Sequence, residues 1–138
     1  VVIKLPLASP IKRGYVSSHY GRRKDPFNGR WAMHRGIDFV AKYKSGVHAT
    51  APGKVIRVGR QGKYGRTVDI RHSFGLVTRY AHLYRYKLKV GQKVSRGQVI
   101  GLLGNSGRST GPHVHYEIRR HKKFMNPRKF LRATRNVQ

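Results

Sequence analysis

Three short stretches carry side chains whose types and spacing suit metal-assisted chemistry. In "HRGID", His34 and Asp38 lie four residues apart with Gly36 between them. A helix would put them on one face, but the glycine favours a turn into the strand "IDFV", and in either geometry an imidazole and a carboxylate converge. In "TRYAHL", His82 ends a predicted strand. In "STGPHVHYE", His113 and His115 are one residue apart, so a strand sends both rings to the same face. Two imidazoles there make poor core residues, because each buries nitrogens that need partners. Each piece alone has a plainer explanation: a solvated sheet face, or an arginine partner for Asp38. Together they offer more. Two histidines and a carboxylate are a ligand set of catalytic zinc, with the fourth position open to water. Further histidines then remain to handle protons.

The chain has 138 residues, with 31 Lys and Arg against four Asp and Glu, so the place of any acid is informative. Glu117 lies two residues beyond His115 on the same face, either as an acceptor behind a metal ligand or as a partner for an arginine. Ser109, Thr110, Gly111 and Pro112 are small and rigid, and suit a turn that aims His113. Among the other histidines, His48 reads as packing or surface, His72 as structural, and His19 and His121 as solvated. There is no cysteine, which excludes disulfides and thiolate metal sites; any metal must be held by His, Asp or Glu.

The elements that must position these residues are strands. From about Pro52 onward, β-branched or aromatic runs alternate with glycine turns: "KVIRVG", "GRTVDIRH", "GLVTRYAHL", "YKLKVG", "QKVSRGQVIGLLG" and "PHVHYEIRR". This predicts an all-β fold of compact antiparallel sheets, barrel- or sandwich-like, with few or no long helices. Residues 1–138 are expected to form a single domain with one core. The first fifty residues read as loops and short strands, with turn signals such as "DPFNG". One helix is predicted over "NPRKFLRAT", with Asn126 as its cap and Pro127 at its first position. "APGKVIRVG" and "VGQKVSRGQVIG" look alike, either as related hairpins or through shared turn chemistry.

A formal charge of +27 attracts polyanions, among which nucleic acid, acidic lipid and the anionic bacterial wall all qualify. Charge alone favours nucleic acid. Specific recognition would need stacking aromatics interleaved with the bases, whereas the tyrosines mostly fall in strands at core positions, so no specific nucleic acid partner is expected. No apolar run is long enough to cross a bilayer and no signal peptide is visible. The chain starts at Val1, and is expected to be the C-terminal part of a longer protein, with any membrane anchor outside this segment. A monomer is the default.

"MHRGIDFVA", "TRYAHL", "GQKVSRGQVIG" and "GNSGRSTGPHVHYEIR" together resemble the M23 family of zinc metallopeptidases, the LytM or lysostaphin-type domain. The family order, H-x-x-x-D, then a lone His, then H-x-H, is present in full, and "SSHYGRRKDPFNG" and "NPRKFL" resemble its opening and closing segments. The likeness runs from about Ser17 to about Leu131. It implies a compact antiparallel β fold with a groove over one zinc ion per chain, held by His34, Asp38 and His115, with His82 and His113 catalytic. It implies a peptidoglycan endopeptidase, periplasmic or secreted in the cell envelope. "GRWAMHRGIDF" looks most like the Gram-negative enzymes that cut the D-alanine to diaminopimelate cross-link. Glycine-bridge cleavage of the lysostaphin kind, or a non-catalytic LytM-type wall-binding or activator module, are the alternatives. His19 departs from the aromatic common in the family's opening segment, where Tyr20 takes that place.

Overall fold

Strict alternation of side chains builds the central strand. In β11 (Val114–Arg120), Val114, Tyr116 and Ile118 are fully buried in the core. His113, His115 and Glu117 take the other face, which lines a groove. These assignments come from a computed structural model that describes residues 4–131.

β11 lies between β4 (Ile37–Val40) and β8 (Leu76–Tyr86), antiparallel to both. Beyond β4 comes β1 (Tyr15–Ser18); beyond β8 come β7 (Arg66–Arg71), β6 (Gly53–Arg60) and β9 (Lys93–Val94). β12 (Lys123–Met125) makes a hairpin with β11, and β10 (Val99–Leu103) pairs with β8 and with β5 (Gly46–His48). These form one ten-stranded antiparallel sheet, while β2 (Gly21–Lys24) and β3 (Trp31–His34) form a separate two-stranded hairpin. The all-β expectation holds, including short strands in the first fifty residues.

β8 carries the feature that shapes the site. Its residues 76–81 pair with β11, and beyond Ala81 the same edge pairs with β10 instead. At that split, Ala81 and His82 together oppose Thr67 of β7, since Val68 pairs with Tyr80 and Arg66 with Leu83. This is a β-bulge, and His82 sits in it with φ of 61°, a left-handed conformation that a non-glycine residue adopts only when its surroundings impose it. Tyr80 and Leu83 both stay in the core across the extra residue.

The core also contains a chain of buried polar groups. The Tyr116 and Tyr80 hydroxyls both meet Thr50 Oγ1, at 2.7 and 3.1 Å, and Thr78 Oγ1 lies 2.9 Å from Tyr80. His72 ends the chain, 2.7 Å from Thr78 Oγ1 and 2.7 Å from the Pro52 carbonyl. His72 is thus structural, as the sequence implies, and burial pushes its pKa below the usual imidazole range. At the other end, Asn126 Oδ1 accepts from the Arg128 amide and a helical turn starts there, as predicted; residues 132–134 of the predicted helix lie outside the described residues. Neither of the two similar segments is a hairpin by itself: one is β6, the other spans β9 and β10, and β6 pairs with β9. Among the described residues no helix is long and apolar enough to cross a membrane.

Candidate metal centre

Register places the donors. His115 of β11 pairs directly with Asp38 of β4, and His115 Nδ1 lies 2.8 Å from Asp38 Oδ1. His34, at the end of β3, brings Nε2 within 3.3 Å of Asp38 Oδ1 and 3.2 Å of His115 Nδ1. Gly36 makes this approach possible: a Cβ there would stand 2.3 Å from the Tyr116 carbonyl oxygen and 2.9 Å from His115 Cε1. Ligands about 2.0–2.1 Å from a tetrahedral zinc-sized ion stand roughly 3.3 Å apart. Two of the three separations, 3.2 and 3.3 Å, match that spacing and the third, 2.8 Å, is shorter; three buried His, Asp and His donors converging on one point fit such an ion in kind.

Each donor is aimed from behind. His34 Nδ1–H donates to the His19 carbonyl at 2.9 Å, which leaves Nε2 facing the other two donors, as a metal ligand would need. His115 Nε2–H donates to Glu117 Oε2 at 2.9 Å, which leaves Nδ1. Glu117 Oε2 also accepts from the Tyr64 hydroxyl at 2.7 Å, and its Oε1 lies 3.7 Å from Arg79 Nη1. Arg79 in turn makes two hydrogen bonds to Asp69, at 2.9 and 3.0 Å. Asp69, Arg79 and Glu117 are directly paired positions on β7, β8 and β11, so one row across three strands backs His115. Both sequence readings of Glu117, acceptor and arginine partner, therefore apply.

Charge follows geometry. Burial alone would raise the Asp38 carboxyl, but hydrogen bonds from His115 and His34 hold it well below the usual carboxylate range. Burial opposes a charge on His115, yet its bonds to Asp38 and Glu117 prevail and push it up to about 9. A metal ion at Nδ1 would displace that proton, so acid competes with metal here. Burial raises the Tyr64 hydroxyl, Glu117 adds to it, and the group stands at about 12, a donor at any ordinary pH.

The structure brings His82 and His113 to the same groove, with ring centroids 4.6 Å apart. His82 Nδ1–H donates to the Ser106 carbonyl at 2.6 Å. His113 Nδ1 lies 2.8 Å from the Gly111 carbonyl and 3.0 Å from Ser109 Oγ, so the turn before β11 aims this ring. His113 Nε2 is then 3.9 Å from Asp38 Oδ1. Burial brings His82 down to about 4 against the pull of the Ser106 carbonyl, so this ring is neutral at neutral pH.

The groove walls come from the β2–β3 hairpin, the Gly62–Tyr64 turn and the loop 104–113. Arg108 crosses between two of them, with two bonds to Asp25 at 2.9 and 3.0 Å and its guanidinium 4.2 Å from the Phe27 ring centroid. Arg23 reaches Asp38 Oδ2 at 3.3 Å and Ser18 Oγ at 2.7 Å. Sequence reasoning singled out none of Arg23, Asp25, Tyr64, Asp69, Arg79 or Arg108. The scarcity of acids was the available signal: Asp25 and Asp69 are two of only four.

Residues 32–127 match the family profile described as Peptidase family M23. The DD-carboxypeptidase/endopeptidase Mpg of Neisseria meningitidis is 43% identical over 118 residues, 86% of this chain and 27% of that protein. The peptidoglycan DD-endopeptidase ShyC of Vibrio cholerae is 42% identical over 123 residues, 88% of this chain and 28% of that protein. This chain therefore spans little more than a quarter of these curated relatives. A zinc containing peptidase from Vibrio cholerae superposes with a TM-score of 0.79 at 36% identity, covering 86% of this chain and 37% of that one. The catalytic domain of lysostaphin from Staphylococcus simulans gives 0.77 at 31% identity, covering 86% and 92%.

Proposed function

Because the chain belongs to peptidase family M23, we propose that it is the zinc endopeptidase domain of a longer cell-envelope protein, cutting the D-alanine to diaminopimelate cross-link of peptidoglycan. The observation that carries this reading is the convergence of three buried donors and two outwardly aimed imidazoles on one groove. His34, Asp38 and His115 would hold the metal. Zinc bound there would acidify a water and polarise the scissile carbonyl.

The chain's own residues do the rest. With the proton on Nδ1 and that proton given to a carbonyl, His82 and His113 each turn an accepting Nε2 toward the groove. Either ring can take a proton from the attacking water, face the developing oxyanion as imidazolium, and pass the proton to the leaving amine. The complete set of donors and both imidazoles distinguishes this reading from a non-catalytic wall-binding module. Similarity of fold does not separate cross-link cleavage from glycine-bridge cleavage, since the lysostaphin domain superposes nearly as well. Higher identity to the proteins named DD-endopeptidases supports the cross-link. The +27 charge concentrates the domain on an anionic wall.

Digestion of defined cross-linked muropeptides, with products weighed by mass spectrometry, tests this. Hydrolysis at D-alanine to diaminopimelate, abolished by chelator and restored by zinc, is expected. Zinc-loaded protein that releases nothing, or that cuts only glycine bridges, would overturn the assignment.

A further inference from the structure

The groove holds charges that the hydrolytic chemistry leaves unused. Its three acids are all engaged: Asp38 with the donor set and Arg23, Glu117 with His115 and Tyr64, and Asp25 with Arg108. Of its four cations, Arg23 and Arg108 are taken up by those acids. Arg35 and Lys63 line the same groove and are exposed, with no carboxylate partner among the described residues.

Both are held by their backbones beside His115 and Glu117. Arg35 stands between His34 and Gly36, where an added Cβ would come within 2.9 Å of His115 and 3.0 Å of Glu117, and its guanidinium lies 4.9 Å from the Phe124 ring centroid. Lys63 belongs to the Gly62–Tyr64 turn. Its carbonyl accepts from the Arg108 amide at 2.8 Å, and its neighbour Tyr64 reaches Glu117. Gly65 and Gly107 lock this turn to the loop 104–113, with backbone atoms where a Cβ would stand at 2.4–2.7 Å. Two cations without a carboxylate partner among the described residues thus line the groove that holds the donor cluster.

We propose that Lys63 and Arg35 form a carboxylate-binding subsite that reads a free carboxylate on the carbon bonded to the scissile nitrogen. This rests on the endopeptidase reading above and deepens it. In a D-alanine to diaminopimelate cross-link, that carbon carries a free carboxylate. In a glycine bridge the corresponding carbon continues into another neutral amide. A pair of cations beside the reacting centre therefore favours the first substrate class over the second, through charge-assisted hydrogen bonds that neutral amides make more weakly. One such bond is worth on the order of tenfold or more in affinity.

The test uses one cross-linked muropeptide in two forms, with that carboxylate free or converted to the carboxamide. The zinc-loaded chain is compared with Lys63→Met, Arg35→Met and the double variant, methionine keeping most of the apolar stem. Zinc content and melting temperature confirm that each variant is folded and loaded. The wild type is expected to favour the free carboxylate by tenfold or more in kcat/KM. The double variant is expected to bring that ratio near one, chiefly through a higher KM for the free form. A double variant that keeps the wild-type ratio, or a wild type that cuts both forms equally, would overturn the subsite. Cleavage of neither form by the zinc-loaded wild type would instead overturn the endopeptidase reading, and the subsite with it.

Discussion

Replacing Glu117 by glutamine keeps the side-chain volume and removes the charge behind His115. Glu117 is 1% exposed, so water screens that charge little. Its Oε2 accepts both from Tyr64 at 2.7 Å and from His115 at 2.9 Å, and a glutamine oxygen in the same place accepts both. The amide nitrogen then takes the position of Oε1, 3.7 Å from Arg79 Nη1, where donor faces donor. Orientation of the imidazole is kept while the negative field that raises its basicity is lost. Groups in this backing position contribute about 10–100-fold to metal affinity, or about 1.4–2.7 kcal/mol. Competition with a chromophoric chelator at neutral pH measures zinc affinity of Glu117→Gln directly, with the melting temperature of the metal-free protein alongside. A folded variant whose zinc affinity stays within about twofold of wild type would refute the backing role.

Two further outcomes follow from the buried charges. Asp69→Asn leaves Arg79, 7% exposed, without its two-bonded carboxylate. Losing one partner of a buried pair costs about 3–5 kcal/mol, and a fall of roughly 10–17 °C in melting temperature is expected for a domain of this size; an unchanged transition would show that Glu117 alone suffices for Arg79. For His72, burial lowers the folded pKa beneath the unfolded value, so its stabilising effect is complete above about pH 6.5 and is lost as pH falls through the folded pKa. In zinc-free protein, urea midpoints followed from pH 7 downward are expected to fall less steeply in His72→Asn than in wild type; parallel curves would remove His72 from the acid limb.

Much of the site was legible because side-chain period and residue type determine it. Period two put His113, His115 and Glu117 on one face, and Gly36 marked the close turn between His34 and Asp38. What stayed hidden has physical reasons. The groups that aim three of the four key rings are the carbonyls of His19, Ser106 and Gly111, and any residue type supplies a carbonyl. His82 looked like the end of a strand, but β8 runs through it in a bulge that only pairing with β7 reveals. The Asp69, Arg79 and Glu117 row joins residues 48 positions apart through register, which a single sequence does not display. The Arg108 to Asp25 bridge spans 83 positions for the same reason.

On the proposed reading, one metal site divides its labour between holding zinc and moving protons. The most direct measurement is bound zinc and muropeptide hydrolysis on the same preparation of His113→Ala. His113 stands at the groove with its Nε2 3.9 Å from Asp38, outside the three-donor cluster. The variant is predicted to bind one zinc per chain with wild-type affinity and to lose hydrolysis by a factor of about a hundred or more. Loss of zinc together with activity, or zinc retained with full activity, would contradict it.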